Sequence, residues 1–213
     1  MLRILRGGGI FFMVGFSVVV PAFNEAGCIA RNMRALAAAC ERTGRVWEIV
    51  LCVEHSTDST LEQALEVARE LEQLRVLDLP VQRGKGAAVR EGFLQAQGEI
   101  VFMCDADLSA DLGAIDTFLK LFDADAQVAG VVGRRRSRVG KSPFLRRFLS
   151  GVFHAWVKRL TGLPFSDTQC GFKAFKKPFA RELAQMQTET GYVFDIEWLL
   201  YAQQKNWRVQ EAD

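Results

Sequence analysis

Nowhere in the 213 residues does an apolar run approach the ~20 residues that a bilayer-spanning helix needs. Contact with a membrane is therefore expected to be peripheral. The five cysteines, Cys28, Cys40, Cys52, Cys104 and Cys170, are odd in number and lack metal-ligand spacing. They read as small core residues in a reducing compartment and not as a disulfide framework. A net charge of +2 is too small to imply a nucleic-acid partner. The P-loop spacing GxxxxGK[ST] is missing, and so is the third glycine of a dinucleotide fingerprint. There is no internal repeat, low-complexity tract or linker rich in Pro, Gly or Ser. A secretion signal is imitated by Arg3 and Arg6 ahead of the apolar stretch Ile10–Val20. Cleavage there would remove the strand FSVVV, residues 16–20, so residues 1–15 are expected to be an extension, with Met13 as an alternative start.

What is present is a long alternation of strand-like and helix-like segments in a chain that is 49% hydrophobic, enough for one well-buried domain over residues 16–213. Strands are expected at 16–20, 47–53, 75–79, 100–104 and 127–132, and helices over 25–42, 58–74, 86–97 and 112–122. Strands that read as unbroken apolar runs, joined by helices, predict an α/β fold: a mostly parallel, Rossmann-like sheet covered on both faces. In such sheets ligands sit beyond the carboxyl ends of the strands. The residues placed there are Pro21–Glu25, Glu54–Thr60, Asp105–Ser109 and Arg134. The organisation changes near residue 133, between a part of about 16–133 and one of about 134–213. The second part begins with Arg134, Arg135, Arg136, Arg138, Lys141, Arg146 and Arg147 and continues with an amphipathic, aromatic-rich helix over 142–164. That helix suits either a bilayer headgroup region or ordinary core packing. A loop-like segment around PFSDTQCGFK and a last helix near 194–205 follow.

Chemistry is concentrated in five segments. EIVFMCDADLS, residues 99–109, ends a buried strand in two carboxylates, Asp105 and Asp107, flanking Ala106. Acids at the mouth of a sheet call for positive charge, and Mg2+ or Mn2+ carrying a diphosphate supplies it through hard oxygen ligands. Asp107 and Ser109 equally suit a cap and turn before the next helix. VVVPAFNEAG, residues 18–27, sets Pro21, Asn24 and Glu25 in a strand-to-helix turn that can meet a base or ribose, a plain turn being the alternative. RGKGAAVREGF, residues 83–93, places Lys85 between two glycines at a helix start, where free N–H groups favour a phosphate; a Gly turn with an exposed lysine is the alternative. DTQCGFKAFKK gathers Asp167, Gln169 and Lys173 around a glycine, and FDIEWLL adds Asp195 and Glu197 at a helix start, where capping is the alternative.

In this order, VVVPAFNEAG, STDST, RGKGAAVREGF, DADLS, DTQCGFK and FDIEWLL closely resemble the inverting family 2 glycosyltransferases of the GT-A, nucleotide-diphospho-sugar fold, and most of all the dolichyl-phosphate and polyprenyl-phosphate glucosyl- and mannosyltransferases. DTQCGFK with RGKG points to the glucosyl branch. The resemblance implies a nucleotide-sugar donor bound by Pro21, Phe23, Asn24, Glu25, Glu54, Lys85, Asp105, Ala106 and Asp107. It implies a metal on Asp105 and Asp107, with Arg134 beside the reacting phosphates. A polyprenyl-phosphate acceptor would meet Arg134, Arg135, Arg138, Asp167, Gln169, Lys173 and Asp195. The expected activity is transfer of a hexose, most simply glucose from UDP-glucose, at the cytosolic face of a membrane during envelope glycan synthesis. Transfer to a saccharide hydroxyl, use of GDP-mannose, and a catalytically silent homologue are the alternatives. Two departures stand out: Val53 and His55 replace an acid and a glycine of the usual VDDGSTD-like segment, and the chain ends at Asp213 where relatives continue with a short EVPV-type strand.

Overall fold

The computed structural model describes residues 4–6, 9–11, 14–134 and 162–212. An amino-terminal hairpin pairs β1 (Ile4–Arg6) with β2 (Gly9–Phe11). The domain then runs β3 (Phe16–Ala22), α1 (Ile29–Glu41), β4 (Trp47–Glu54), α2 (Thr60–Glu70), β5 (Leu74–Leu79), α3 (Lys85–Gln95), β6 (Ile100–Cys104), α4 (Ala114–Ala124) and β7 (Val128–Gly133). After the arginine-rich region come β8 (Phe172–Lys176), α5 (Lys177–Met186), α6 (Phe194–Gln204) and β9 (Arg208–Ala212). Arg135, Arg138 and nearly all of the helix expected over 142–164 lie outside the described residues.

Seven strands form one sheet in the order β5-β4-β3-β6-β8-β7-β9. All pairings are parallel except those of β8, which runs antiparallel to both β6 and β7. This reversal assembles the site. The carboxyl ends of β3, β4, β6, β7 and β9 share one rim, and the start of β8 meets it, because Phe172 pairs with Cys104. The 167–171 loop is thereby delivered to the same rim as the two aspartates.

The strands β3, β4 and β6 are buried along their whole length, as continuous apolar runs covered on both faces should be. One face packs α1, α2 and α4 through Met33, Leu36, Val67, Ile115 and Phe118. The other packs α3, α5 and α6 through Phe93, Leu183 and Trp198. Gly92 lets α3 approach this closely: a Cβ there would stand 2.3 Å from Val19 Cγ1 and 2.8 Å from Cys52 Sγ. Pro21 belongs to β3 and not to the turn after it. Its missing N–H is harmless there, since pairing of β3 with β6 ends at Val19↔Met103 and only β4 continues alongside.

Three expectations are corrected. The segment read as a loop contains β8 and leads directly into α5. The stretch after the last helix, for which no strand was expected, forms β9, parallel to β7. Helix α1 begins at Ile29, not near Glu25, because residues 24–26 are tied to the 56–60 loop instead.

Candidate active site

At the shared rim a pocket of about 290 Å³ is lined by Pro21, Ala22, Phe23, Glu25, Glu54, Gln82, Gly84, Lys85, Asp105, Ala106, Asp107 and Tyr192. The expected donor-side residues converge there, with one exception, Asn24. A larger hollow of about 790 Å³ opens at the opposite end of the sheet, beside Arg45, Phe122 and Lys177. It holds no paired rim carboxylates, and its cations are engaged: Arg45 with Asp123, Lys176 with the Ala126 carbonyl at 2.6 Å, and Lys177 with the Gln97 carbonyl at 2.8 Å. The smaller pocket is the candidate site.

Asp105 follows the last residue of β6, and its Oδ1 lies 2.6 Å from Lys85 Nζ across the pocket floor. Apart from this ion pair, the buried Oδ1 has no hydrogen-bond donor. Gly171 backs the carboxylate, for a Cβ there would fall 2.0 Å from Asp105 Oδ2. Asp107 is exposed, and its Oδ1 accepts the Ser109 N–H at 2.9 Å, so it does make the turn that was the alternative reading. Leu108 between them is left-handed, at φ 51°. Asn32 of α1 steadies the loop by donating to the Ala106 carbonyl at 2.8 Å.

Several residues prove to hold the loops around the pocket in place. Asn24, also left-handed at φ 55°, accepts the Thr57 N–H on its Oδ1 at 2.8 Å and stitches the first loop to the second. Glu54 is 4% exposed, and its Oε1 accepts the N–H groups of Arg83 and Gly84 at 2.7 and 2.8 Å. It borders the pocket, but that oxygen is committed to the Lys85 loop. The start of α3 also differs from expectation. Gly86 and Ala87 donate their N–H groups to the carbonyls of Gly191 and Thr190, so these two amides are not free for a phosphate, and the Lys85 side chain carries the positive charge there.

On the acceptor side, Asp167 is buried and its Oδ1 accepts the Gln169 N–H at 3.1 Å, in the loop entering β8. Arg134 follows β7, is exposed, and donates its N–H to the Ala212 carbonyl at 2.9 Å. Lys173 and Asp195 require correction. They were expected to face an acceptor, yet the Lys173 side chain is 0% exposed and its Nζ lies 2.7 Å from Asp195 Oδ1 and 2.6 Å from the Cys170 carbonyl. A charge so deeply placed must be matched by another, and these two match each other. Sequence reasoning missed Tyr192, 73% exposed at the pocket's edge, and Gln82; the aromatic next to a glycine just before FDIEWLL was the available signal for Tyr192.

Comparison with known proteins agrees with this geometry. The model of glycosyl transferase family 2 matches residues 17–184. The chain is 31% identical to the dolichyl-phosphate beta-glucosyltransferase of Saccharomyces cerevisiae, over 92% of this chain and 64% of that protein. It is 34% identical to a dolichyl-phosphate beta-glucosyltransferase of Trichomonas vaginalis, over 91% of this chain and 61% of that protein. It thus spans less than two thirds of the length of these relatives. Among solved structures it superimposes on glucosyl-3-phosphoglycerate synthase from Mycobacterium tuberculosis, in complex with Mn2+, UDP-glucose and phosphoglyceric acid. The TM-score is 0.70 at 18% identity, covering 93% of this chain and 69% of that one. A mannosyltransferase from Pyrobaculum calidifontis, in complex with GDP-Man and Mn2+, gives a TM-score of 0.65 at 20% identity, covering 94% and 55%. The fold is GT-A, and the chain belongs to glycosyl transferase family 2.

Proposed function

We propose that this family 2 chain transfers a hexose, most simply glucose from UDP-glucose, to the phosphate of a polyprenyl lipid such as dolichyl phosphate, at the cytosolic face of a membrane. The observation that carries the reading is the Lys85–Asp105 pair at the sheet rim, backed by Gly171 and opening on a pocket of about 290 Å³. The identity to dolichyl-phosphate beta-glucosyltransferases supports the choice of sugar and acceptor. Among the described residues no helix is long and apolar enough to cross a membrane.

The residues fit a divalent cation. Asp105 and Asp107 offer hard oxygen donors, and apart from its ion pair with Lys85 the buried Asp105 Oδ1 has no hydrogen-bond donor. Among the described residues no group of three or more His, Cys, Asp or Glu side chains could hold a metal, so donor phosphate oxygens and water would have to complete the shell. Mg2+ or Mn2+ held there would supply positive charge to the departing nucleoside diphosphate.

The chain's own residues do the rest. Pro21, Phe23 and Glu25 flank the nucleotide, while Lys85 neutralises diphosphate charge from the opposite wall. An acceptor phosphate is already ionised near neutral pH, so it needs positioning and no protein base. Arg134 and the Asp167–Gln169 loop, on the β7 and β8 side of the rim and outside the pocket lining, would orient it. A phosphate oxygen attacks the anomeric carbon, the bond from that carbon to the diphosphate breaks, and the configuration inverts. Incubation of the protein with UDP-[14C]glucose, Mn2+ and a polyprenyl phosphate is expected to carry label into the organic phase. Absence of lipid-phase label, with label moving instead from GDP-mannose or onto a saccharide, would reject this assignment.

A further inference from the structure

The helix that carries Lys85 is capped by another part of the chain. Gly86 and Ala87 of α3 donate their N–H groups to the Gly191 and Thr190 carbonyls at 3.0 and 3.2 Å. The two glycines around Lys85 make the approach possible. A Cβ at Gly86 would stand 2.8 Å from the Glu189 carbonyl oxygen and 2.9 Å from that of Gly191. At Gly84, where φ is +107°, a Cβ would stand 2.6 Å from the Thr190 oxygen. This strap between α5 and α6 hangs in turn on one carboxylate. Glu197 Oε1 accepts the Thr188 N–H at 2.9 Å and its hydroxyl at 2.6 Å, and Oε2 accepts the Glu189 N–H at 3.0 Å. Gln187 closes the arrangement by donating to the Gly86 carbonyl at 2.8 Å while accepting from the buried Trp198 indole at 3.1 Å.

Resting on the reading of Lys85 and Asp105 as the donor site, we infer that Glu197 is a positioning residue for sugar transfer: through the strap it sets the first turn of α3 and holds the Lys85 ammonium over Asp105. Three donors converge on its two oxygens, which only a carboxylate can accept in full. An amide there would turn N–H groups toward the backbone N–H of either Thr188 or Glu189. The strap is exposed at Thr188 and Glu189, so the effect falls on the placement of Lys85 more than on the fold.

The test is a double-mutant cycle read by calorimetric binding of UDP with Mn2+. Glu197→Gln is expected to weaken binding roughly tenfold, the scale of one charge-assisted hydrogen bond, with little change in melting temperature. Lys85→Met should weaken it further, and the double variant should bind like Lys85→Met alone, since the carboxylate acts through that ammonium. Glu197→Asp, which keeps both oxygens, should recover part of the loss. Gly86→Ala attacks the same contact from the helix side and should reproduce the effect of Glu197→Gln. Hydrogen exchange supplies a ligand-free arm: the Gly86 and Ala87 amides should exchange faster in Glu197→Gln, while those deeper in α3 do not. Additive losses, or unchanged exchange at those two amides, would overturn the inference and leave the functional reading standing. Failure of the wild-type protein to bind UDP with Mn2+ would overturn both.

Discussion

Replacing Gly171 by alanine tests the site at a single atom. The added Cβ would lie 2.0 Å from Asp105 Oδ2 and 2.5 Å from its Cγ, whereas Cβ atoms in folded proteins keep at least 3.0 Å from such neighbours. About 1 Å of separation must therefore be found. The backbone at Gly171 is not left-handed, so alanine adds no strain of its own, and the obstacle is the end of a side chain and not main chain. The cheap response is for the Asp105 carboxylate to rotate away, which spares the fold and spoils the donor site. A displacement on the order of 1 Å at a reacting centre costs about 10²-fold in rate. Gly171→Ala is expected to lose that much transfer activity, need more Mn2+ for half-maximal rate, and melt close to the wild type. In an Asp105→Ala background the same substitution should do nothing more, because the group it displaces is gone. An alanine variant with wild-type rate and metal dependence would show that the position of Asp105 is immaterial, and the donor-site reading would fall with it.

Lys85 competes for Asp105 with any cation, so Lys85→Met should bind Mn2+ alone about threefold more tightly than the wild type, the worth of one partly exposed ion pair, yet bind UDP with Mn2+ less well. Electron paramagnetic resonance titration of Mn2+ reads both, and unchanged affinity for the free ion would count against the pairing. Breaking the buried Lys173–Asp195 pair from either side, by Lys173→Met or Asp195→Asn, should cost about 3–5 kcal/mol in urea unfolding, since one partner is left buried and unmatched. A loss below 1 kcal/mol would contradict the assignment of these residues to the core. Burial pushes the thiols of Cys40 and Cys52 up to about 12 and contributes most to raising Cys28 to about 11, while Cys104 is raised by burial and then by Asp105. The native thiols thus hold their protons beyond pH 9 while those of the unfolded chain, with the ordinary value of 9.0, begin to lose them. Stability from this source is complete below pH 9 and declines above it. Iodoacetamide at pH 8 should label these four far more slowly before denaturation than after, as mass spectrometry can count.

The fold was legible where a strand's neighbours are dictated by its own composition. IVFMC is apolar at every position, and a strand that apolar must be covered on both faces; its bounds were read as they stand, Ile100–Cys104. FKAFK was not legible, because Lys173 inside it breaks every apolar pattern. Only Asp195, 22 residues further on, makes that lysine a core residue. RVQEA fails for a related reason: β9 is half exposed and holds its strand conformation through pairing with β7, a contact that leaves no trace in its own residues.

At the site, the part visible in sequence was the part with a local cost. Two acids ending a buried strand demand an explanation wherever they occur, and Lys85 between glycines gives half of one. The purpose of the glycines was hidden. In sequence a glycine says that a side chain is excluded, and a phosphate and a crossing backbone exclude it equally well. The structure decides for backbone at Gly84 and Gly86, where Thr190 and Glu189 fill the space, and for a carboxylate at Gly171. Glu54 follows the same logic: an acid at a strand end was expected to meet a ligand, and its Oε1 meets two amides 29 and 30 residues away instead. A polar group at a sheet rim can serve the ligand or serve the loop that serves the ligand, and burial separates the two. Asp105 and Lys85 keep access to the pocket from partly exposed side chains, whereas Glu54 and Lys173 at 4% and 0% exposure have spent theirs on the protein.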